Sequence, residues 1–310
     1  MKILCEKAIH PCFEQTLQNS GYEFDIYTGN SSNDSEIDVL VTTLTQTVNS
    51  QYLNNFPGLK LVLNYAVGFN NIDIDYCLSR GILVGNTPGV LTEATAHHTL
   101  LLMLAASRHL KPSIQNIYKD EWLDWEPLGF LGPDVTGKTL GIYGMGRIGF
   151  YFAKLCHQAF SMDVIYHNRK AHPKAQNIGA KQVSFDELAE EADFLSIHAP
   201  LTDQNRYVFN KEVFARMKSG AVFINTSRGG LVNHDDLYQS LKNGELFAAG
   251  LDVTEPEPVT NNYPLLTLDN CVITPHTASA TYEARRAMAK CVVENIFEYL
   301  ENGRLKYAVN

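Results

Sequence analysis

One short stretch restricts what this chain can fold into. GMGRIG, Gly144 to Gly149, stands between a strand-like run, TLGIY, and a helix-like run with an apolar face, RIGFYFAKLCHQAF. Glycines spaced G-x-G-x-x-G at such a junction have separate uses. The first permits a tight turn, the second lets backbone approach a bound group, and the third lets helix and strand pack closely. The helix start that follows presents unpaired N–H groups and the positive end of its dipole, which together favour an anion. A bare turn satisfies the same spacing, but here strand, turn and helix follow in the order that a phosphate site needs. The stretch therefore predicts a dinucleotide-binding unit, with Arg147 and Ile148 opening the helix beside the pyrophosphate.

The rest of the chain alternates short apolar strands with amphipathic helices, the pattern of parallel sheets covered by helices. In the first part the strands are KILC (2–5), FDIYT (24–28), DVLVT (38–42), LKLVLNY (59–65) and ILVGN (82–86), with helices near 11–20, 50–55 and 73–80. A long apolar helix, EATAHHTLLLMLAASRHL, follows from about residue 93 and could join two lobes. A second series then runs through TLGIYG (139–144), MDVIY, DFLSIHA (193–199), AVFINTS (221–227), AAGLDV (248–253) and CVITPH (271–276), and residues 281–302 read as one helix. The expected fold class is α/β, with two doubly wound parallel-sheet domains, Rossmann-like or flavodoxin-like, and an active-site cleft between them.

Composition narrows the function classes. The 310 residues are 45% hydrophobic and 19% charged, enough apolar side chain for a real core. A net charge of −9 argues against nucleic acid as a partner, because tracking phosphates needs positive charge, but it leaves room for a local basic pocket. No apolar run approaches the roughly 20 residues of a membrane span. The start, MKILCEKAIH, reads as a short strand and not as a secretory leader. Six cysteines (5, 12, 77, 156, 271 and 291) show neither CxxC pairing nor metal-ligand spacing, so reduced thiols in the cytoplasm and no metal are expected.

The second strand of the nucleotide unit ends in YHNRK, Tyr166 to Lys170. A site for NAD usually places an aspartate or glutamate there to grip the ribose 2′-hydroxyl. Here Asn168 takes that place, and Arg169 and Lys170, with Lys174 nearby, follow. Without the carboxylate, nothing repels a 2′-phosphate, and each charge-assisted hydrogen bond to one contributes about 1.5–3 kcal/mol. That corresponds to a preference of about ten- to a hundred-fold for NADP(H) over NAD(H), with NAD(H) still possible. The competing reading is a solvated basic turn.

Three residues at late strand ends match one chemical need: Arg228 in NTSRGG, Glu257 in DVTEPEP and His276 in CVITPH. Reducing a 2-keto acid with a nicotinamide requires a cation to hold the substrate carboxylate and polarise the carbonyl. It requires an acid to protonate the carbonyl oxygen as hydride arrives, and imidazole serves well. A carboxylate against that imidazole favours its charged form. Arg228, His276 and Glu257 fill those roles in that order. Each residue alone has a plainer reading: a surface charge, a loop carboxylate and a structural histidine.

These segments together resemble the D-isomer-specific 2-hydroxyacid dehydrogenases, most of all their glyoxylate/hydroxypyruvate reductase branch. YAVGFNNIDID (65–75), NTPGVLTEATA (86–96), GKTLGIYGMGRIG, FINTSRGGLVN, AAGLDVTEPEP and CVITPHTASAT carry the resemblance nearly end to end, with 29 residues from Arg228 to Glu257 and 19 more to His276. The resemblance implies a discontinuous substrate domain, 1–98 with 283–310, around a dinucleotide domain, 99–282. It implies that backbone at Val67 and Gly68 meets the substrate carboxylate beside Arg228 and His276. The implied cofactor set is Gly144, Gly146, Arg147, Ile148, Gly149, Asn168, Arg169, Lys170, Thr226 and Asp252, with Asp252 on the nicotinamide carboxamide. It also implies a homodimer through the nucleotide domains. Trp125 either reaches a partner's active site or packs in the dimer arm.

The chain departs from the family at His97 and His98, where an acidic residue is usual, and at Ala278, where glycine is common. Adjacent histidines point to different helix faces, which disfavours a metal there. The expected reaction is NADPH-preferring reduction of glyoxylate or hydroxypyruvate to a D-2-hydroxy acid. D-lactate-type, 2-ketogluconate and phosphoglycerate dehydrogenases are alternatives within the class. A nucleotide-sensing, corepressor-like binding protein is the alternative outside it.

Overall fold

The computed structural model describes residues 1–29 and 35–310, which form two compact units: Met1–Leu91 with Ala280–Asn310, and Thr92–Ser279. The first unit begins β1 (Lys2–Cys5), α1 (Cys12–Gln18), β2 (Asp25–Thr28), β3 (Val39–Thr42), α2 (Ser50–Leu53), β4 (Leu61–Asn64), α3 (Ile74–Ser79) and β5 (Leu83–Gly85). Its five strands pair in parallel in the order β2-β1-β3-β4-β5. VLVT and LVLN, in β3 and β4, are buried at every position because central parallel strands are covered on both faces. Asn49 and Asp73 cap α2 and α3 by accepting from the N–H groups of Tyr52 and Tyr76.

The second unit opens with α4 (Thr92–Ser107) and α5 (Leu110–Tyr118). The sequence pattern predicts one helix through His109, but the chain breaks there. His109 adopts a left-handed conformation at φ 49°, and the backbone at Gly132 packs so close to the Ser107 carbonyl that a Cβ would lie 1.8 Å from its oxygen. The unit continues with β6 (Thr139–Tyr143), α6 (Arg147–Phe160), β7 (Asp163–His167), β8 (Lys181–Gln182), α7 (Phe185–Glu191), β9 (Phe194–Ile197), α8 (Lys211–Arg216), β10 (Val222–Asn225), α9 (His234–Lys242), β11 (Ala248–Leu251) and β12 (Cys271–Ile273). The chain then returns to the first unit through α10 (Tyr282–Asn302).

The seven strands of the second sheet are all parallel, in the order β12-β11-β10-β9-β6-β7-β8. The expected α/β class with two parallel sheets is therefore present. From β6 the chain builds outward through β7 and β8, then crosses back to lay β9 on the other side. The carboxyl ends of β6 and β9 thus flank a topological switch point, where open α/β sheets bind ligands. One apolar layer packs around Leu195, Phe209, Phe223 and Leu251, the other around Leu102, Phe152, Phe194 and Ile224. α4 lies directly on β11, since a Cβ at Gly250 would come within 3.0 Å of the Leu102 carbonyl oxygen. Among the described residues, no helix is long and apolar enough to cross a membrane, and all six cysteines are buried and unpaired.

Candidate active site

The glycine turn sits at the switch point, on the carboxyl end of β6. Gly144 has φ 91°, and a Cβ there would lie 2.5 Å from the Ala199 nitrogen just past β9, so only glycine fits. A Cβ at Gly149 would fall 2.9 Å from the Gly144 oxygen, which explains how closely α6 packs on its strand. Gly146 differs: nothing lies within 4 Å of its Cβ position, so that face is open to a ligand. Gly146 is also the N-cap of α6 and offers no side-chain acceptor, leaving the N–H groups of Arg147, Ile148 and Gly149 uncapped.

Asn168, one residue beyond β7, does not reach outward. Its Oδ1 accepts from the Met145 N–H at 2.7 Å and its Nδ2 donates to the Met145 carbonyl at 3.0 Å, so the amide clasps the glycine turn from below. Gln182 Nε2 donates to the Asn168 carbonyl at 2.8 Å and steadies the clasp. Arg169, Lys170 and Lys174 follow, all exposed, and among the described residues Arg169 and Lys170 have no ion-pair partner. His172 stacks on Phe150 with ring centroids 4.8 Å apart, which anchors the basic segment to α6. An open glycine face and an uncapped helix start suit the pyrophosphate of a dinucleotide, and two cations without an ion-pair partner stand beside them among the described residues.

Arg228, Glu257 and His276 emerge past the carboxyl ends of three neighbouring strands, β10, β11 and β12. Asn225 shapes the first of these ends. Its Oδ1 accepts from Ser227 N–H at 3.0 Å and its Nδ2 donates to the Arg228 carbonyl at 2.9 Å. The Arg228 guanidinium donates through Nη1 to the Ser227 carbonyl at 2.6 Å. Burial lowers its proton affinity and the Glu257 charge raises it; an arginine in either case stays charged. Thr226 is buried and shares a hydrogen bond of 2.9 Å with Thr99 of α4. Gly229 lets the β10 turn press onto the next loop, since a Cβ would meet the Thr254 oxygen at 2.0 Å.

His276 Nδ1 lies 2.5 Å from Glu257 Oε1. With Nδ1–H given to the carboxylate, Nε2 is the ring atom left to deliver or take a proton. The His276 backbone is left-handed, at φ 54°, and its N–H donates to the Asp252 carbonyl at 2.9 Å. Asp252 has a fully buried side chain, and its carboxylate is engaged by the loop around His276. Oδ1 accepts from Thr274 Oγ1 at 2.6 Å and Thr277 N–H at 2.8 Å, and Oδ2 accepts from Ala278 N–H at 2.8 Å. Burial pushes this carboxyl up, but hydrogen bonds from His98, Thr274, Thr277 and Ala278 outweigh it and hold the group below the usual carboxylate range.

In the first unit, the loop after β4 is tied down by its carbonyls. Asn86 Nδ2 donates to the Val67 carbonyl and Asn64 Nδ2 to the Gly68 carbonyl, each at 2.7 Å. Among the described residues, the N–H groups of Val67 and Gly68 have no partner, which suits them to a carboxylate.

Residues 100–278 match the family described as D-isomer specific 2-hydroxyacid dehydrogenase, NAD binding domain. The chain belongs to that family. The dehydrogenase is 44% identical over 269 residues to a glyoxylate reductase of Thermococcus litoralis, covering 85% of this chain and 81% of that one. In structure it is similar to the TT0316 protein of Thermus thermophilus, with a TM-score of 0.91, 37% identity and all of both chains covered. It is also similar to an NADPH-dependent glyoxylate/hydroxypyruvate reductase of Sinorhizobium meliloti in complex with NADP and malonate. There the TM-score is 0.87 and the identity 29%, covering 99% of this chain and 96% of that one. It is an NAD(P)-dependent dehydrogenase acting on CH–OH groups.

Several residues of the dehydrogenase site carry no sequence signal. Arg206 Nη1 donates to Glu255 Oε1 at 2.7 Å, and His234 Nδ1 lies 3.2 Å from the Glu255 carbonyl, so two distant residues brace the loop that presents Glu257. His198, beneath the glycine turn, pairs with Ser196 Oγ at 2.9 Å, and burial pushes its imidazole down to about 3. Strand ends and local turns identify donors such as Asn225, but contacts between residues tens of positions apart need the fold. Among the described residues, no group of three or more His, Cys, Asp or Glu side chains could hold a metal.

Proposed function

We propose that this dehydrogenase is an NADPH-preferring reductase of small 2-keto acids, glyoxylate or hydroxypyruvate, yielding the corresponding 2-hydroxy acids, of D configuration where C2 is a stereocentre. The observation that carries the chemistry is the 2.5 Å contact between His276 Nδ1 and Glu257 Oε1 beside Arg228. Bound NADPH supplies the hydride to the keto carbon. Arg228 holds the substrate carboxylate and polarises the carbonyl. His276 gives the Nε2 proton to the carbonyl oxygen, and Glu257 stabilises the imidazolium that must be present beforehand. The proton turns the carbonyl oxygen into the hydroxyl as the keto carbon gains its new C–H bond.

The cofactor preference rests on the clasp at Asn168. Because that amide is spent on Met145, recognition of the ribose falls to the unpaired Arg169 and Lys170, which suit a 2′-phosphate. The NADPH-dependent enzyme of Sinorhizobium meliloti supports this reading, as the glyoxylate reductase of Thermococcus litoralis supports the substrate. The homodimer is part of the same proposal. α5 buries none of its residues, and Tyr118 at its end and Trp122, Leu123, Trp125, Leu128 and Leu131 beyond it are more than half exposed, an apolar surface that a second copy would cover. Trp125 belongs to that arm. Six buried, unpaired thiols suit a reducing compartment such as the cytoplasm.

The test is kcat/KM for glyoxylate and hydroxypyruvate with NADPH and with NADH, in native protein and Arg169→Ala. A preference of about ten- to a hundred-fold for NADPH that collapses in the variant is expected. Equal use of both cofactors by native protein would overturn the preference, and no turnover of either acid would overturn the reductase reading.

A further inference from the structure

We propose that His98 is a positioning residue for the proton donor, acting through Thr274 and Asp252 on the loop that carries His276. This rests on the reading of His276 as the acid. His98 is one of two adjacent histidines on α4, and the two differ in environment. His97 is exposed, with an edge contact to the Tyr151 ring at 6.0 Å. His98 points inward: its Nε2 lies 2.9 Å from Thr274 Oγ1 and 3.3 Å from Asp252 Oδ1.

Proton accounting fixes the roles. A threonine hydroxyl has one proton, and the 2.6 Å contact from Thr274 Oγ1 to Asp252 Oδ1 takes it. Towards His98 the same oxygen can only accept, so His98 must carry its proton on Nε2. The result is a directed chain: His98 Nε2–H donates to Thr274, and Thr274 donates to Asp252. The Asp252 carboxylate in turn accepts the N–H groups of Thr277 and Ala278, the two residues immediately after His276. Left-handed backbone at a histidine persists only where its surroundings hold it, and here these bonds do so.

The origin of the donor matters as much as the bond. Thr274, Thr277 and Ala278 all belong to the loop being held, so they cannot fix it against the rest of the unit. His98 can, because α4 sits directly on β11 at Gly250, two residues before Asp252. Among the described residues, His98 is the one side chain engaging Asp252 that comes from outside that loop.

The experiment is a histidine side-chain 1H–15N NMR spectrum of the full chain, with solvent exchange of the His276 Nδ1–H as the readout, in native protein, His98→Ala, His98→Gln and His97→Gln. His98 is expected as the Nε2–H tautomer. In His98→Ala the His276 proton should exchange about tenfold faster, the equivalent of one lost hydrogen bond. Turnover, kcat, should fall by a similar factor while KM for the keto acid changes little. His98→Gln, whose amide can still donate, should restore both, and His97→Gln should change neither. Should His98→Ala not fold, Thr274→Val is expected to give the same faster exchange and Thr274→Ser is not. An Nδ1–H tautomer at His98, or native exchange in both His98→Ala and Thr274→Val, would overturn the proposal. Native protein that reduces no keto acid would sink the reductase reading instead, and the exchange comparison would still decide the role of His98.

Discussion

Replacing Asn168 by aspartate installs the residue that an NAD site usually carries, and simple motif logic says that NADH use should improve. The geometry says otherwise. An aspartate keeps the acceptor for Met145 N–H but loses the donor for the Met145 carbonyl, and sets a carboxylate oxygen where a donor stood 3.0 Å from that carbonyl. Met145 is buried at 1% exposure, so water cannot replace the lost partner. A missing neutral hydrogen bond contributes about 0.5–1.5 kcal/mol, and a buried carbonyl left without a donor about 1–3 kcal/mol. Taken as overlapping descriptions of one defect, they give about 1–3 kcal/mol of distortion in the turn, or about a 5- to 150-fold weaker cofactor Kd. NADH should therefore bind worse to Asn168→Asp than to native protein, and NADPH worse still, because the new charge sits beside Arg169. Isothermal titration with both cofactors on native protein, Asn168→Asp and Asn168→Ala, alongside Tm, reads this directly. Asn168→Ala removes both bonds without adding charge and should also lose NADH affinity. If Asn168→Asp instead gains NADH affinity at an unchanged Tm, the clasp is not what holds the turn, and the reasoning fails.

Two other perturbations address the chemistry and the pH response. His276→Asn should lower kcat for keto acid reduction by about 10²–10⁴-fold while leaving the NADPH Kd close to native; stopped-flow turnover and titration check it, and near-native turnover would remove His276 as the acid. His198 is held neutral by burial, with its imidazole pushed down to about 3 from an ordinary value near 6.5. The unfolded chain therefore binds the proton that the folded chain refuses: this contribution to stability is complete above about pH 6.5 and is lost as pH falls towards 3. Allowing for its incomplete enclosure, the loss is about 1–2 kcal/mol between pH 7.5 and pH 5. Urea midpoints at the two pH values should differ less in His198→Gln than in native protein, and an equal drop in both would show that other groups carry the acid sensitivity.

Apart from the two-residue β8, the strands and the class of fold were legible because parallel strands buried on both faces are largely apolar, as Val39–Val41, Leu61–Leu63 and Val222–Ile224 are, with Thr42, Asn64 and Asn225 as their polar ends. α6 follows the expected run from Arg147 to Phe160 to the residue, since a glycine turn marks its start and a left-handed Ser161 its end. The break between α4 and α5 was not legible, because it is set by Gly132 packing from a distant segment and not by a local signal. Arg228, Glu257 and His276 could be singled out because their chemistry is scarce at strand ends. Asn168 was legible as a departure, but its partner was not: an amide that reads a ribose and one that clasps Met145 look the same in sequence. His98 and Arg206 were illegible for a similar reason, since each acts on residues dozens of positions away.

The order of the second sheet separates two kinds of evolutionary freedom. The basic segment follows β7, and His276 follows β12, with five strand spacings between them, or about 24 Å. At that distance, with no shared partner, the effects of substitutions at the two ends add instead of interfering. A lineage could therefore exchange one nicotinamide cofactor for the other by drift in a few surface residues, with the acid, its carboxylate and the guanidinium left untouched. Asn168 is the exception, because it is tied to the turn that both halves of a dinucleotide would share, and it is where such drift should meet resistance.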